Sequence, residues 1–473
     1  MRYVGITIGP IYKTLLKAKK TKELWAASYI FSFVMREIAK RFKDKKFVMP
    51  YVADEVFNIK NVGLFNDRMI FEAEGVKEEN IQKAVDEAIK KLSEITGIDR
   101  DYLKEYIQIE YVIKEINSGN IVDKIYEYLD TLELFFQTPT KDKFKDFFKN
   151  VNNTKLAKFA FSKEHERFDS LLEIALADVI DDDLREIVRQ YDEKDINIFE
   201  DKDLNKKYNF QDYHKYVAIV QVDGDNMSEV NKLLNNATLK DYKDLSKDLF
   251  DFVKEALNRI KDFGGFVVYA GGDDLLFFAP IKNRDKNILD LAFKLDEIYQ
   301  EKMKSWNSRL ENIKTTLSFG INVSYYKFPM YEALKNAQNL LFNKAKDKKI
   351  KNAIAVDVIK HSGQVFNAII KKENVENIKA LLNNDFKFDT SIIYKIDTYK
   401  KVLELLNEEE RFKAFFKNYF NENYSKNKDF YNLLAQTMYK LKTSNYPEYL
   451  KVIYFILRFN KFLRTNDDKA YNS

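Results

Sequence analysis

Hydrophobic and polar positions follow two different periods along this chain, and their order predicts an α+β unit at the N-terminus. Residues 2–8 form an apolar run that ends at Gly9-Pro10, and from about 11 to 42 apolar residues recur at helical spacing. The next predicted elements are strands over 46–52 and 62–73, a helix over 77–92 and a strand over 106–113. The order β-α-β-β-α-β is typical of a ferredoxin-like, palm-type domain.

The same order returns in the middle of the chain. A strand over 216–222 precedes a long helical pattern over 239–263, which Gly264-Gly265 ends. The elements predicted after it are a hairpin of 266–270 and 275–279, a helix over 287–306, a strand over 315–325 and a helix over 330–346. A second palm-like domain is therefore predicted.

The remaining segments have helical or linker-like patterns. Residues 119–190 have a helical pattern, 191–213 are polar as in a linker or exposed loop, and the chain after about Ser362 is predicted to be helical throughout. We therefore predict an α+β protein with two ferredoxin-like palm domains of the GGDEF or cyclase-like kind. The predicted domains are a first palm at 1–116, a helical linker domain at 117–212, a second palm at 213–365 and a helical C-terminal domain at 366–473.

Composition narrows the chemistry that this fold can carry. The chain of 473 residues has no cysteine and only 3 histidines, so disulfides, thiol catalysis and Cys- or His-rich metal sites are excluded. Any metal must then be held by carboxylates, which favour Mg²⁺ or Mn²⁺. The N-terminus lacks a signal-peptide pattern, and no stretch approaches the roughly 18 apolar residues of a membrane span. We expect a cytoplasmic protein without a membrane partner.

Two acidic motifs lie at the strand ends of the second palm. Asp223-Gly224-Asp225 follows an apolar strand, and Gly271-Gly272-Asp273-Asp274 joins the two strands of the hairpin. Two-metal nucleotidyl transfer needs carboxylates on rigid neighbouring elements, and glycines let backbone approach a phosphate closely. Each motif alone is commonly an ordinary turn. Their pairing at strand edges, without basic neighbours in sequence, indicates a catalytic site.

These motifs resemble those of a known family. Asp223-Gly224-Asp225-Asn226-Met227 and Tyr269-Ala270-Gly271-Gly272-Asp273-Asp274 are similar to the palm signature of the large subunit of type III CRISPR effector complexes, with the GGDEF diguanylate cyclases as wider relatives. Ile8-Gly9-Pro10 and the segment 18–29 resemble the start of the first palm in the Cmr (type III-B) branch. Ser318-Phe319-Gly320-Ile321 and Lys344-Ala345-Lys346 resemble the last strand and helix of the second palm.

The resemblance implies an RNA-activated nucleotidyltransferase that joins ATP into cyclic oligoadenylate messengers for antiviral defence. It implies Asp223, Asp273 and Asp274 as catalytic, metal-binding acids, with the Gly224 carbonyl as a further metal ligand. It implies nucleotide contacts from these residues: Gly224, Asp225, Gly271, Gly272, Ser318, Lys344 and Lys346. Mg²⁺ or Mn²⁺ is the implied cofactor and ATP the substrate. The implied partners are other Cmr-type CRISPR subunits, the CRISPR guide RNA and the target RNA.

The first palm and the N-terminus differ from the usual pattern of the family. The first strand ends in Ile8-Gly9-Pro10 without an acid, and no Gly-Gly-Asp-Asp follows, so this domain is expected to be catalytically degenerate and to hold the acceptor nucleotide. The chain opens directly on the palm and contains no His-Asp dipeptide. We therefore expect no HD nuclease domain and no DNase activity.

Two alternative functions remain open at this point. Some relatives without the nuclease domain adenylate S-adenosylmethionine instead of a second ATP, which would make that molecule a co-substrate and a SAM-AMP-type messenger the product. In the other alternative the chain is a non-catalytic scaffold subunit that positions RNA. Intact acids at 223, 273 and 274 argue against the scaffold.

Overall fold

Two sheets with the same core topology form the framework of this protein. The computed structural model describes every residue except 155, 157–167, 236, 312, 348–349, 374, 383–389 and 465–473. The strands of the first sheet are β1 (Arg2–Gly9), β2 (Phe47–Met49), β3 (Arg68–Glu72) and β4 (Gln108–Glu115). They lie in the antiparallel order β2-β3-β1-β4, as a ferredoxin-like palm requires.

Helices cover this first sheet and lead into a helical spacer. The helices of the first palm are α1 (Ile11–Leu15), α2 (Thr21–Arg41), α3 (Asp54–Asn58), α4 (Glu78–Thr96) and α5 (Arg100–Tyr106). Those of the spacer are α6 (Ile121–Glu133), α7 (Lys141–Asn152), α8 (Leu171–Ala175), α9 (Asp182–Glu193) and α10 (Lys202–Tyr208). The segment over 191–213, expected to be a linker or loop, contains α10 and a 3₁₀ turn, and a second 3₁₀ turn begins at Asp212. The side chain of Asp201 caps the start of α10.

The second sheet is larger than the pattern predicted. Its strands are β5 (Tyr216–Asp225), β6 (Phe266–Gly271), β7 (Asp274–Pro280), β10 (Thr316–Tyr325), β11 (Ala353–Ile359) and β12 (Val365–Lys371), while β8 (Lys282–Asn283) and β9 (Lys286–Asn287) form a separate small hairpin. The order is β12-β11-β10-β5-β7-β6, with β10 and β11 parallel and the other pairs antiparallel. Strand β5 therefore lies in the interior of the sheet.

Helices complete the second palm and the C-terminal region. Those of the palm are α11 (Met227–Leu233), α12 (Leu239–Asp262), α13 (Ile288–Lys302), α14 (Lys304–Asn307) and α15 (Met330–Leu340), which continues into a π-helical turn, Leu341–Ala345. Those of the C-terminal region are α16 (Val375–Leu382), α17 (Ser391–Thr398), α18 (Lys400–Leu405), α19 (Glu409–Lys426), α20 (Lys428–Thr443) and α21 (Tyr449–Leu463). None of the described helices is long and apolar enough to cross a membrane.

The prediction that the chain is helical throughout after Ser362 is wrong for β12. Its residues alternate between exposed Val365 and Asn367 and buried Phe366, Ala368 and Ile370, which is the period of a half-buried strand. The predicted domain boundary between 365 and 366 falls inside this strand. A short apolar run is compatible with the period of a helix or of a strand, and here the pairing with β11 makes it a strand.

Two strands of the first palm, predicted over 46–52 and 62–73, are shorter than expected. Within these two segments only Phe47–Met49 and Arg68–Glu72 form strands of the sheet, and between them lie α3 and a loop over 59–67. This loop contacts the second palm, because the Ala270 amide donates a hydrogen bond to the Gly63 carbonyl at 3.0 Å. One continuous hydrophobic core extends through both sheets. The two palms therefore pack directly on each other.

Gly320 in β10 sets the distance between the sheet and the segment that follows it. A methyl group there would lie 2.1 Å from the Ala337 carbonyl oxygen and 2.6 Å from the Leu341 amide nitrogen. Both are backbone atoms, so a change of side-chain conformation cannot relieve the contact. This close approach fixes where α15 and its π-helical turn lie above the strand.

The substitution Gly320→Ala should therefore destabilise the second palm. We expect the free energy of unfolding to fall by about 1–3 kcal/mol or more, as in other overpacked cores. Urea denaturation followed by circular dichroism measures it. An unchanged denaturation midpoint would show that the helix does not need the bare Cα of Gly320.

Candidate active site of the second palm

Asp223 extends from the end of the buried central strand β5. The strand is apolar over most of its length and is hydrogen-bonded on both sides, to β7 and to β10. Because neighbouring strands restrain its end, the Asp223 carboxylate is held on a rigid element. The register pairs Val222 with Leu275, so Asp223 lies one step further, opposite Asp274.

The hairpin between β6 and β7 turns in two residues. Gly271 pairs with Asp274, and Gly272 between them has a φ of 68°. A glycine with positive φ at the first central position is what a type II′ turn requires, and such turns match the twist of the strands. The sequence Gly-Gly-Asp-Asp thus folds into a tight turn that holds Asp273 and Asp274 side by side.

The turn brings Asp273 directly over the end of β5. A methyl group on Gly224 would lie only 2.1 Å from Asp273 Oδ2. Glycine is therefore required at 224 so that the carboxylate can reach this position. The side chain of Asp274 forms a hydrogen bond with Asp223, so the structure brings all three predicted acids together.

A lysine from the π-helical turn region enters this acidic cluster. The Lys346 ammonium forms an ion pair with Asp223 and donates a hydrogen bond to the Gly224 carbonyl oxygen at 2.6 Å. These two groups are the predicted metal ligands on β5. A cation thus already lies between the oxygens that were expected to bind one.

Burial and mutual repulsion make the two hairpin acids reluctant to ionise. Desolvation and the neighbouring charge of Asp223 raise the pKa of Asp273 to about 6. Desolvation, followed by the charges of Asp273 and Asp223, raises the pKa of Asp274 well above its ordinary value. Strongly perturbed carboxylates in a cleft are typical of functional sites, since a divalent cation can compensate their charge.

Acidification should release a divalent metal from this cluster. Because the pKa of Asp273 is about 6, protons compete with the metal at a higher pH than for an ordinary aspartate. We expect the affinity for Mn²⁺, measured by calorimetry, to fall by about tenfold or more between about pH 7.5 and 5.5. An affinity that does not change over this range would contradict the assignment.

In the metal-free protein, acidification should increase the stability of the fold. The folded-state pKa of Asp273 lies above the ordinary value of 3.8, so ionisation favours the unfolded chain. The contribution of Asp273 to stability is present at low pH and is lost as the pH rises through about 6.

Asp225 and Ser318 lie behind the acids rather than among them. The Asp225 side chain is fully buried, and its Oδ2 accepts hydrogen bonds from Ser318 Oγ at 2.7 Å, Thr316 Oγ1 at 2.8 Å and the Asn352 amide at 2.9 Å. Ser318 is fully buried as well. The prediction that these two side chains contact nucleotide is therefore corrected: they join β5 to β10 and to the loop before β11.

The remaining predicted residues divide between the site and the surface. Gly271 and Gly272 form the turn itself, and a methyl group on Gly271 would lie 2.2 Å from Asn66 Oδ1 of the first palm. Lys344 is exposed on the π-helical turn, whereas Lys346 points into the cluster. The structure thus distinguishes Lys346, the lysine that the sequence favoured, from its alternative Lys344.

The donor set fits a divalent cation bound together with substrate. Asp223, Asp273, Asp274 and the Gly224 carbonyl supply the hard oxygen ligands that Mg²⁺ and Mn²⁺ prefer. Among the described residues, no three His, Asp or Glu side chains are already arranged to hold a metal. Mg²⁺ is usually held by one or two carboxylates and completed by waters and phosphates, so a complete cage of protein ligands is not required.

Sequence reasoning missed the loop of the first palm that contacts the hairpin turn. Gly63 pairs with Tyr269 in an isolated parallel bridge, and Asn66 contacts Gly271. The segment was predicted as a strand, and no motif marked it. The isolated Gly63 in a strand pattern was the available signal, because such a glycine indicates close approach of another backbone.

Comparison with known proteins identifies relatives of both palms. Residues 216–355 match the family described as Cas10/Cmr2, second palm domain. Residues 3–95 match the family described as CRISPR-associated protein Cmr2, N-terminal. The CRISPR system Cmr subunit Cmr2 of Pyrococcus furiosus is 31% identical over 222 residues, which cover 40% of this chain and 25% of that protein. The match thus spans about a quarter of the length of this curated relative.

Solved structures share the fold. The type III-B Cmr-beta complex in its apo state contains a chain with a TM-score of 0.54 at 12% identity, covering 89% of this chain and 77% of that one. The Csm1–Csm4 cassette in complex with cA3 contains a chain with a TM-score of 0.51 at 12% identity, covering 98% and 69%. At such low identity these matches show a common fold.

Proposed function

We propose that this chain, which matches the second palm domain of Cas10/Cmr2 and the N-terminal family of Cmr2, is a target-RNA-activated nucleotidyltransferase that makes cyclic oligoadenylate from ATP. One observation carries the proposal: three carboxylates lie together at the end of β5, where the Lys346 ammonium contacts Asp223 and the Gly224 carbonyl. The Csm1–Csm4 cassette, which shares the fold, was solved in complex with cA3.

The residues of the cluster would have separate roles in nucleotidyl transfer. Asp223, Asp273, Asp274 and the Gly224 carbonyl would hold Mg²⁺ or Mn²⁺, which lowers the charge barrier to attack on the α-phosphate. The Lys346 ammonium, which pairs with Asp223 in this structure, would neutralise the triphosphate, for which a lysine is suited as a point charge. The hairpin turn is rigid, so the acids need little reorganisation.

The same proposal assigns the partners. Other Cmr-type subunits, the CRISPR guide RNA and the target RNA would assemble with this chain, and target RNA would switch on synthesis for antiviral defence. One relative that shares the fold, type III-B Cmr-beta, was solved bound to cognate target RNA. The chain's own net charge of +5 is small, so contact with RNA would depend on local basic patches.

The test uses the assembled complex. It is incubated with Mg²⁺, labelled ATP and cognate target RNA, with and without S-adenosylmethionine, and the products are separated by chromatography. We expect cyclic oligoadenylates that depend on target RNA and on the metal. A product that requires S-adenosylmethionine would replace the proposed acceptor with that molecule. No product in either reaction, with RNA binding intact, would refute the enzymatic function.

A further inference from the structure

The four core strands of the two palms correspond one to one. The order β2-β3-β1-β4 in the first palm matches β6-β7-β5-β10 in the second, and all these pairs are antiparallel. Strand β1 ends at Gly9 opposite Gln108, the first residue of β4. Strand β5 ends at Asp225 opposite Thr316, the first residue of β10. The strand ends therefore fix a common register.

This register gives each catalytic acid a counterpart in the first palm. Thr7 precedes the end of β1 by the same two positions as Asp223 precedes the end of β5. Thr7 pairs with Arg68, the first residue of β3, just as Asp223 lies opposite Asp274, the first residue of β7. The counterparts of Asp223, Asp273 and Asp274 are thus Thr7, Asp67 and Arg68.

At the position where the second palm has its cluster of acids, the first palm has an internal ion pair. The Arg68 guanidinium donates to Glu133 Oε1 at 2.8 Å and to Asp130 Oδ1 at 2.6 Å. Thr7 Oγ1 donates to the same Glu133 oxygen at 2.6 Å. A fixed guanidinium repels a divalent cation, which supports the expectation that this domain is catalytically degenerate.

Asp67 is the acid at this position of the first palm, and the neighbouring charge of Arg68 acts on it without forming an ion pair. Arg68 is bonded to Asp130 and Glu133, and no basic group of the described residues lies within ion-pair distance of the Asp67 carboxylate. The carboxylate accepts hydrogen bonds from the backbone amides of Asp67 and Arg68. It is exposed, so it remains available to a ligand.

Asp67 lies near the active site of the second palm. Its neighbour Asn66 contacts Gly271 in the catalytic turn. Tyr126, under the Arg68 guanidinium at 4.5 Å, lies close enough to both Asp67 and Asp273 for each charge to raise its pKa. The turns at 66–68 and 271–274 thus meet across the junction of the two palms.

We propose that Asp67 binds the ribose hydroxyls of the acceptor nucleotide. This inference rests on the proposed function, because that reaction needs an adenosine hydroxyl presented to the α-phosphate held at Asp223, Asp273 and Asp274. A free carboxylate accepts hydrogen bonds and cannot bind phosphate oxygens, which selects the hydroxyl side of the acceptor. Asp67 follows Asn66, which contacts the turn that holds Asp273, and the acceptor hydroxyl must reach the α-phosphate at this turn.

The test compares Asp67→Ala with Asp130→Ala in the assembled complex with target RNA. Both variants lose a carboxylate near Arg68, but Asp130 is bonded to the Arg68 guanidinium and its side chain is 67% exposed. We expect Asp67→Ala to raise the KM for ATP by about 10- to 100-fold, as for a lost hydrogen bond to a charged group. Asp130→Ala should leave KM close to that of the wild type.

The split between KM and kcat separates binding from a structural defect. At saturating ATP we expect the kcat of Asp67→Ala to stay within about threefold of the wild type, since the acids of the second palm are intact. Equilibrium dialysis with a non-hydrolysable ATP analogue should show loss of the acceptor molecule alone. If the wild-type complex is active and Asp67→Ala has the same KM as Asp130→Ala, the role of Asp67 is overturned but the proposed function is not. A wild-type complex that makes no product would instead overturn the proposed function.

Discussion

Replacing Asp273 and Asp274 together by asparagine should abolish nucleotide transfer and raise the melting temperature of the metal-free protein. The loss of activity should exceed about 10³-fold, since charge stabilisation at one such centre is commonly worth 10²–10³ per group. The gain in stability follows from the raised pKa values of both acids, which show that the folded chain holds their charges unfavourably. Activity assays and differential scanning calorimetry measure the two effects.

A matched variant controls for the change in net charge. Asp182 and Asp183 form another adjacent acidic pair, exposed at the start of α9 and outside both palms. Asp182→Asn/Asp183→Asn should leave activity and its dependence on Mg²⁺ unchanged. Mg²⁺ should raise the melting temperature of this control and of the wild type, but not that of the Asp273/Asp274 variant. Retained synthesis in the latter would exclude these acids from catalysis.

Replacing Lys346 by alanine should lower the rate of synthesis by about 10²-fold, the usual effect of removing one charged group that stabilises a transferring phosphate. The same substitution should tighten binding of Mn²⁺ in the absence of nucleotide, because the ammonium now occupies the space between Asp223 and the Gly224 carbonyl. Steady-state kinetics and calorimetry give these two opposite changes, which simple unfolding would not produce.

Lys344 provides the control for this substitution. It lies on the π-helical turn that ends just before Lys346, carries the same charge and is exposed. Lys344→Ala should keep its rate within about threefold of the wild type, as for most surface substitutions. Equal losses in the two variants would mean that the general positive charge of the segment matters and not the contact of Lys346 with the acids.

The sequence was sufficient for the parts of the site that depend on local geometry. Gly271-Gly272-Asp273-Asp274 is a turn motif between apolar strands, and glycine at 272 is needed for its positive φ. The position of Asp223 near the end of β5 follows from the mostly apolar run that precedes it, although the strand continues to Asp225. Both predictions needed only the alternation of residues and the chemistry of carboxylates.

The parts that sequence reasoning missed depend on long-range pairing. Ser318 and Asp225 were assigned to nucleotide, because burial of a polar pair between two strands cannot be recognised from one sequence. Asp67 carries no motif, and its correspondence to Asp273 is visible only from the registers of two separate sheets. The choice between Lys344 and Lys346 depended on the phase of a π-helical turn, which a helical pattern does not specify.

The central claim is that Asp223, Asp273 and Asp274 hold the metal that drives nucleotide transfer. Electron paramagnetic resonance of Mn²⁺ with the chain and a non-hydrolysable ATP analogue tests it most directly. We predict bound Mn²⁺ in the wild type and in Asp182→Asn/Asp183→Asn, and loss of this signal in Asp273→Asn/Asp274→Asn. Mn²⁺ bound equally well by the Asp273/Asp274 variant would contradict the claim.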